Sequence, residues 1–182
     1  MEIFIQFGAA IFLVAVAYVV FRFFVRRDYM EKGKLGKFSG LLQLVVFFLH
    51  GLSSYVFIDS RFRNIQINSP LFMPALVLLI GGLLLFLMAF FYLGIVRSFG
   101  GNQTSLRNTG FYKYSRNPQI VTASVFYIGY ALLWPSWTGA LWVVLLWVMA
   151  HLMVLTEEEH LRNVIGEEYK QYCARTPRYI VF

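Results

Sequence analysis

Apolar residues in this chain run in long blocks, not in the three-to-four-residue rhythm of a soluble helix. Five blocks stand out, at positions 3–24, 38–58, 71–96, 119–134 and 137–156. A helix needs about 20 apolar residues to cross the hydrocarbon core of a bilayer. The third block is long enough to tilt, and the fourth is short for a full span. Blocks four and five meet at Trp134, Pro135, Ser136 and Trp137, where the proline and serine predict a tight turn and so an antiparallel pair of helices. The pattern predicts an all-α integral membrane protein. It has five transmembrane helices, a C-terminal helical hairpin and a cytoplasmic amphipathic tail helix. One domain spans 1–182, with the first three spans in 1–96 and the loop, hairpin and tail in 97–182.

Composition strengthens that reading. The chain is 59% hydrophobic and only 14% charged, whereas soluble domains are about half apolar and about a quarter charged. The net charge of +7 sits in clusters beside the apolar blocks, which marks membrane orientation and anionic headgroups and gives no argument for nucleic acid. The single cysteine, Cys173, excludes an internal disulfide. At the N-terminus an acid, Glu2, precedes the first block and the cations Arg22, Arg26 and Arg27 follow it. That is the reverse of a cleavable signal peptide, so the block is expected to be a retained span.

The cations also orient the chain. The first loop is expected to carry Arg22, Arg26, Arg27, Lys32, Lys34 and Lys37, and the third Arg97, Arg107, Lys113 and Arg116. The tail carries Arg162, Lys170, Arg175 and Arg178. The second loop has Arg61 and Arg63 offset by Asp59, and the fourth has no cation. Charge on alternate loops of five spans puts the N-terminus outside and the C-terminus in the cytoplasm. The sequon Asn102-Gln103-Thr104 then faces the cytoplasm and stays unglycosylated.

The tail presents a conflict. Drawn as one helix over 157–172, it groups Leu161, Val164, Ile165 and Tyr172 on one face at about 100° per residue. Glu157, Glu158 and Glu168 fall on or beside that face, and Glu159, Asn163 and Lys170 fall on the opposite, wet side. An unpaired buried carboxylate is costly, so partners are required. One reading pairs Glu157 and Glu158 with Arg107, Lys113 or Arg116. The other has them line a polar pocket that accepts hydrogen bonds from a ligand. The stretch before block four divides the same way. Pro118 starts that helix, and Arg116 and Asn117 beside its free N–H groups form an anion-tolerant rim. Alternatively Lys113 and Arg116 reach for headgroups while Tyr112 and Tyr114 sit in the aromatic belt. His50 and His151 are expected to be hydrogen-bonded inside the bundle. Nothing has metal-ligand spacing, no nucleophilic triad is visible, and Phe99-Gly100-Gly101-Asn102-Gln103 lacks the strand-and-helix setting of a phosphate loop.

Three segments in order carry a family resemblance: TGFYKYSRNPQ at 109–119, EEEHL at 157–161 and IGEEYKQYCARTPR at 165–178. Together they resemble the isoprenylcysteine carboxyl methyltransferases, a group related to the membrane phospholipid N-methyltransferases. The likeness covers roughly 98–179. It implies S-adenosylmethionine as methyl donor, bound at the cytoplasmic side by Leu106, Gly110, Tyr112, Arg116, Asn117, Pro118, Gln119, Glu157 and Glu158. It implies Arg175 and Arg116 as the residues at the chemistry, and Tyr169, Tyr172 and Arg175 toward the acceptor. The implied partners are membrane lipid and a lipophilic or prenylated small-molecule or peptide acceptor, with neither nucleic acid nor metal. Isoprenylcysteine carboxyl O-methylation is the first expectation. Phospholipid amine N-methylation, a non-catalytic lipid-binding module and a nicotinamide-dependent reductase are the alternatives. Asn117 replaces a common family His, Ile120 a Tyr, Thr104 a His and Ile165 a Phe, so the acceptor is less defined than the cofactor.

Overall fold

The computed structural model describes residues 2–58, 65, 67–94 and 105–180, and every regular element among them is helical. α1 (Glu2–Val19), a π-helical stretch (Val20–Val25) and α2 (Arg26–Lys32) form one continuous rod. There follow α3 (Lys37–Phe57), α4 (Phe72–Leu93), a 3-10 turn (Gly110–Lys113), α5 (Pro118–Leu132), α6 (Trp137–Ile165) and α7 (Glu167–Arg175). Among the described residues, the rod, α3, α4 and α6 are long and apolar enough to cross a membrane, and α5 is a shorter apolar helix. The chain is an all-α integral membrane protein. Its five apolar blocks became five helices.

The differences lie at the ends of the blocks. Arg22, Arg26, Arg27 and Lys32 are helical and not part of a loop, because nothing breaks the helix before Gly33, whose φ of +65° closes it. α6 likewise runs on through the glutamates to Ile165. It stops at Gly166, where φ is +68°, so the tail is two helices and not the single one drawn over 157–172. Glu159 is not on a wet face. It turns to the rod, where its carboxylate meets Arg22 at 3.3 Å and Arg26 at 2.6 Å. Asp59, Arg61, Arg63, Arg97, the glycine pair in 99–103, the sequon and Thr104 lie outside the described residues.

Two kinds of packing hold the bundle. α4 lies antiparallel on α5 with almost no space between them. A Cβ on Gly82 would stand 2.3 Å from the Phe126 nitrogen, and one on Gly129 would stand 2.4 Å from the Leu79 nitrogen. Between lipid-embedded helices such close approach, not hydrophobic exclusion, supplies the attraction. The rod, α3 and α6 instead share an apolar core with a polar pair buried in it. His50 is fully buried, its Nε2 is 3.0 Å from the Trp142 carbonyl, and the Trp142 indole N–H donates back to the His50 carbonyl at 2.9 Å. Ser136 starts α6 by accepting a bond from the Gly139 N–H at 3.0 Å. At the other end of α6, the Thr156 hydroxyl donates to the Phe21 carbonyl in the π-helical stretch at 3.2 Å. A π turn slips the helical bonding register, and the Thr156 bond ties α6 to the rod at that turn.

Candidate active site

Three segments converge at the charged end of the bundle. They are the turn before α5, the polar end of α6, and α7 with the tail that follows it. The tail is tied to the turn through backbone groups. The Arg116 N–H donates to the Pro177 carbonyl at 2.9 Å, and the Asn117 side-chain amide donates to the Arg178 carbonyl at 3.1 Å. Ser115 adds a longer bond to the same Arg178 carbonyl at 3.3 Å. The Tyr172 hydroxyl donates to the Tyr112 carbonyl at 2.6 Å. Pro118 is the first residue of α5, where its missing N–H costs nothing.

Glu158 lies at the centre, with its side chain 4% exposed. Arg178 grips it with two bonds, Nε to Oε1 at 3.0 Å and Nη2 to Oε2 at 2.8 Å. Arg116 approaches Oε1 at 3.3 Å, and Arg162, one turn along α6, approaches Oε2 at 3.6 Å. Arg116 also donates to the Cys173 sulfur at 2.6 Å. Its buried Nε has no hydrogen-bond partner among the described residues. Glu157 is half-buried and forms no ion pair among the described residues. The two neighbouring carboxylates therefore differ. Glu158 is saturated, whereas Glu157 accepts no hydrogen bond among the described residues.

Beside them lies a cavity of about 100 Å³. Leu106, Tyr112, Arg116, Asn117, Gln119, Glu157, Glu158, Tyr169 and Tyr172 all line it, as does Arg107. Burial pushes the hydroxyls of Tyr112 and Tyr169 above the ordinary phenol range and that of Tyr172 up to about 12, so all three are neutral at physiological pH. A larger hollow, about 960 Å³, opens at the opposite end of the bundle near Gln6, Tyr55 and Trp137. Glu2 is its only charged lining residue among those described, so it lacks the opposed charges of the smaller cavity.

Gly110 and Arg175 stand apart from the cavity lining. Gly110 has a φ of +58°, and a Cβ there would stand 2.6 Å from the Tyr92 ring, so its glycine is required by the turn itself. Arg175 is exposed on the last turn of α7 and donates to the Gln171 carbonyl of its own helix at 3.3 Å. The arginine that returns to the glutamate is Arg178, on the far side of Pro177. Sequence reasoning passed over it because two arginines flank Thr176 and Pro177, and only the chain reversal after α7 separates their directions. Lys113 and Tyr114 are exposed, as an interfacial anchor requires.

A helical bundle that spans the membrane and gathers opposed charges around a buried hollow at one end defines a class, the integral-membrane proteins with a polar site at the interface. Within that class, the phospholipid methyltransferase family matches residues 71–168, more than half of the chain. The chain belongs to this family. The match takes in α4, the turn, α5, Glu157 and Glu158, and ends before Tyr169 and the tail. No curated protein and no solved structure matches the chain.

Proposed function

We propose that the protein transfers a methyl group from S-adenosylmethionine to a lipid-borne acceptor at the cytoplasmic face of the membrane. The observation that carries this reading is the unequal pair of acids. Glu158 is neutralised by three arginines, while the Glu157 carboxyl, without an ion pair among the described residues, lines a cavity that Arg116 also enters.

The residues present fit the donor in chemistry. Glu157 suits ribose hydroxyls or an α-ammonium group, and the unpartnered Nε edge of Arg116 suits a carboxylate. The cavity of about 100 Å³ is below the roughly 300 Å³ at which ligand pockets begin. A molecule of this size therefore requires the walls to part or extends beyond the mouth. S-adenosylmethionine, held by Glu157 and Arg116, would supply an electrophilic methyl carbon on a sulfonium. The protein's work is then positioning. The turn and tail, joined through Arg116–Pro177 and Asn117–Arg178, hold the arginines in place, and Tyr112 offers a neutral hydroxyl.

An amine acceptor of the phospholipid type agrees with the family match, and such an amine must lose a proton to react. A prenylcysteine carboxylate is the second reading, favoured by the tail motif at 165–178, and it needs no base because it arrives as an anion. The test is purified protein in nanodiscs with labelled S-adenosylmethionine, offered phosphatidylethanolamine or S-farnesylcysteine. Label is expected in one of the two. Failure of S-adenosylhomocysteine to bind the protein refutes the methyltransferase reading.

A further inference from the structure

We propose that Arg107, held on the ring of Tyr92, binds the negatively charged group of the lipid acceptor; this rests on the methyltransferase reading above. Arg107 lines the cavity. Unlike Arg116, Arg162 and Arg178, it forms no ion pair among the described residues, and residues 95–104 just before it contain no acid. A cation at the wall of a hollow, with no counter-charge among the described residues, suits an anion.

Its position is held by a built support. The Arg107 guanidinium carbon stands 5.2 Å from the centre of the Tyr92 ring. Tyr92 is itself fixed on several sides. Its hydroxyl shares a hydrogen bond with Thr109 at 2.8 Å, Phe111 meets its ring edge-on at 6.0 Å, and Gly110 leaves the space that a Cβ would take. A guanidinium lying over an aromatic face keeps its charge and leaves its edge N–H groups free. That edge matches two oxygens of one oxyanion. Tyr112 connects this site to the acid, because its hydroxyl lies within the fields of both Glu157 and Arg107. The cavity thus brings together the Glu157 carboxyl, the Tyr112 phenol and the Arg107 guanidinium, the first and last without an ion pair among the described residues. That arrangement suits a ligand with an oxyanion next to its reacting atom. A phosphodiester beside an amine and the carboxylate of a prenylcysteine both supply it. In the first case Arg107 holds the neighbour of the nucleophile, and in the second it holds the nucleophile itself.

The test uses the full chain in nanodiscs, with phosphatidylethanolamine and S-farnesylcysteine as separate acceptors and S-adenosylhomocysteine affinity measured alongside. Arg107→Gln is expected to raise the KM of the accepted lipid roughly tenfold or more, the usual effect of losing a charge-assisted contact. S-adenosylhomocysteine affinity should stay within about twofold, which also reports that the variant is folded. Arg107→Lys should recover part of the loss, since it keeps the charge but not the forked edge. Tyr92→Leu should raise KM more than Tyr92→Phe, which keeps the ring. The acceptor arm that responds identifies the oxyanion as phosphate or carboxylate. An unchanged KM in Arg107→Gln overturns the assignment, as does an equal loss of S-adenosylhomocysteine affinity, which would give Arg107 to the cofactor. A wild-type protein that binds no S-adenosylhomocysteine sinks the methyltransferase reading and this assignment with it.

Discussion

Glu158 and Glu159 are consecutive on α6, carry the same charge and both meet arginines, yet they face opposite halves of the molecule. Glu158 points to the turn and tail, 4% exposed, among Arg116, Arg162 and Arg178. Glu159 points to the rod, 30% exposed, with Arg22 and Arg26. The first pairing is enclosed and borders a cavity, and the second is a strap at the rim. Identical chemistry thus has a different physical value on the two sides. Enclosed charges cannot recover water's solvation if a partner is lost, whereas rim charges can. The Glu159 side fixes where the end of α6 lies, and the Glu158 side uses that fixed end to bring the tail over the site.

The contrast can be broken in steps. Glu158→Ala should have the largest effect. It strands three guanidiniums, two of them largely enclosed, and should destabilise the fold by about 3–5 kcal/mol, seen as a lower unfolding midpoint in mild detergent. Next, Glu157→Gln should leave that midpoint nearly unchanged while weakening S-adenosylmethionine binding by about 1.5–3 kcal/mol, the range for a hydrogen bond to a charged group, read by calorimetry. Equal loss of stability in the two variants would show that the acids are not divided between structure and binding. On the rod side, Glu159→Gln should cost at most about 1 kcal/mol. The smallest effect should come from salt. Raising ionic strength to about 1 M, where screening acts within about 3 Å, should erase the difference between Glu159→Gln and wild type. The Glu158→Ala difference should persist.

Much of this architecture was legible beforehand. Five apolar blocks, the Pro135–Ser136 turn and the misplaced acids led to five helices, a hairpin and a pocket between Glu158 and Arg116, because block length and buried charge are local demands that any membrane fold must meet. Helix ends were less legible. Arg22 and Arg26 look like loop residues by charge, but a charged stretch without glycine or proline stays helical once a carboxylate such as Glu159 waits beside it. The tail drawn as one helix failed at Gly166 for the opposite reason, since glycine takes the positive φ that ends α6.

Apart from Arg116, the roles of individual arginines were not legible. Arg175 and Arg178 lie on either side of one Thr-Pro step, and Arg107 and Arg116 lie in one loop, so composition treats each pair alike. The sequence by itself determined that the chain is a membrane-embedded helical bundle, with most of its cations on alternate loops and acids that need partners. Only the tertiary structure decided that Arg178 closes on Glu158, that Arg175 faces outward and that Arg107 has no carboxylate partner among the described residues. Those outcomes depend on where the backbone reverses after α7 and on how Tyr92 packs on Gly110. Both are contacts between segments far apart in the chain, which no local pattern records.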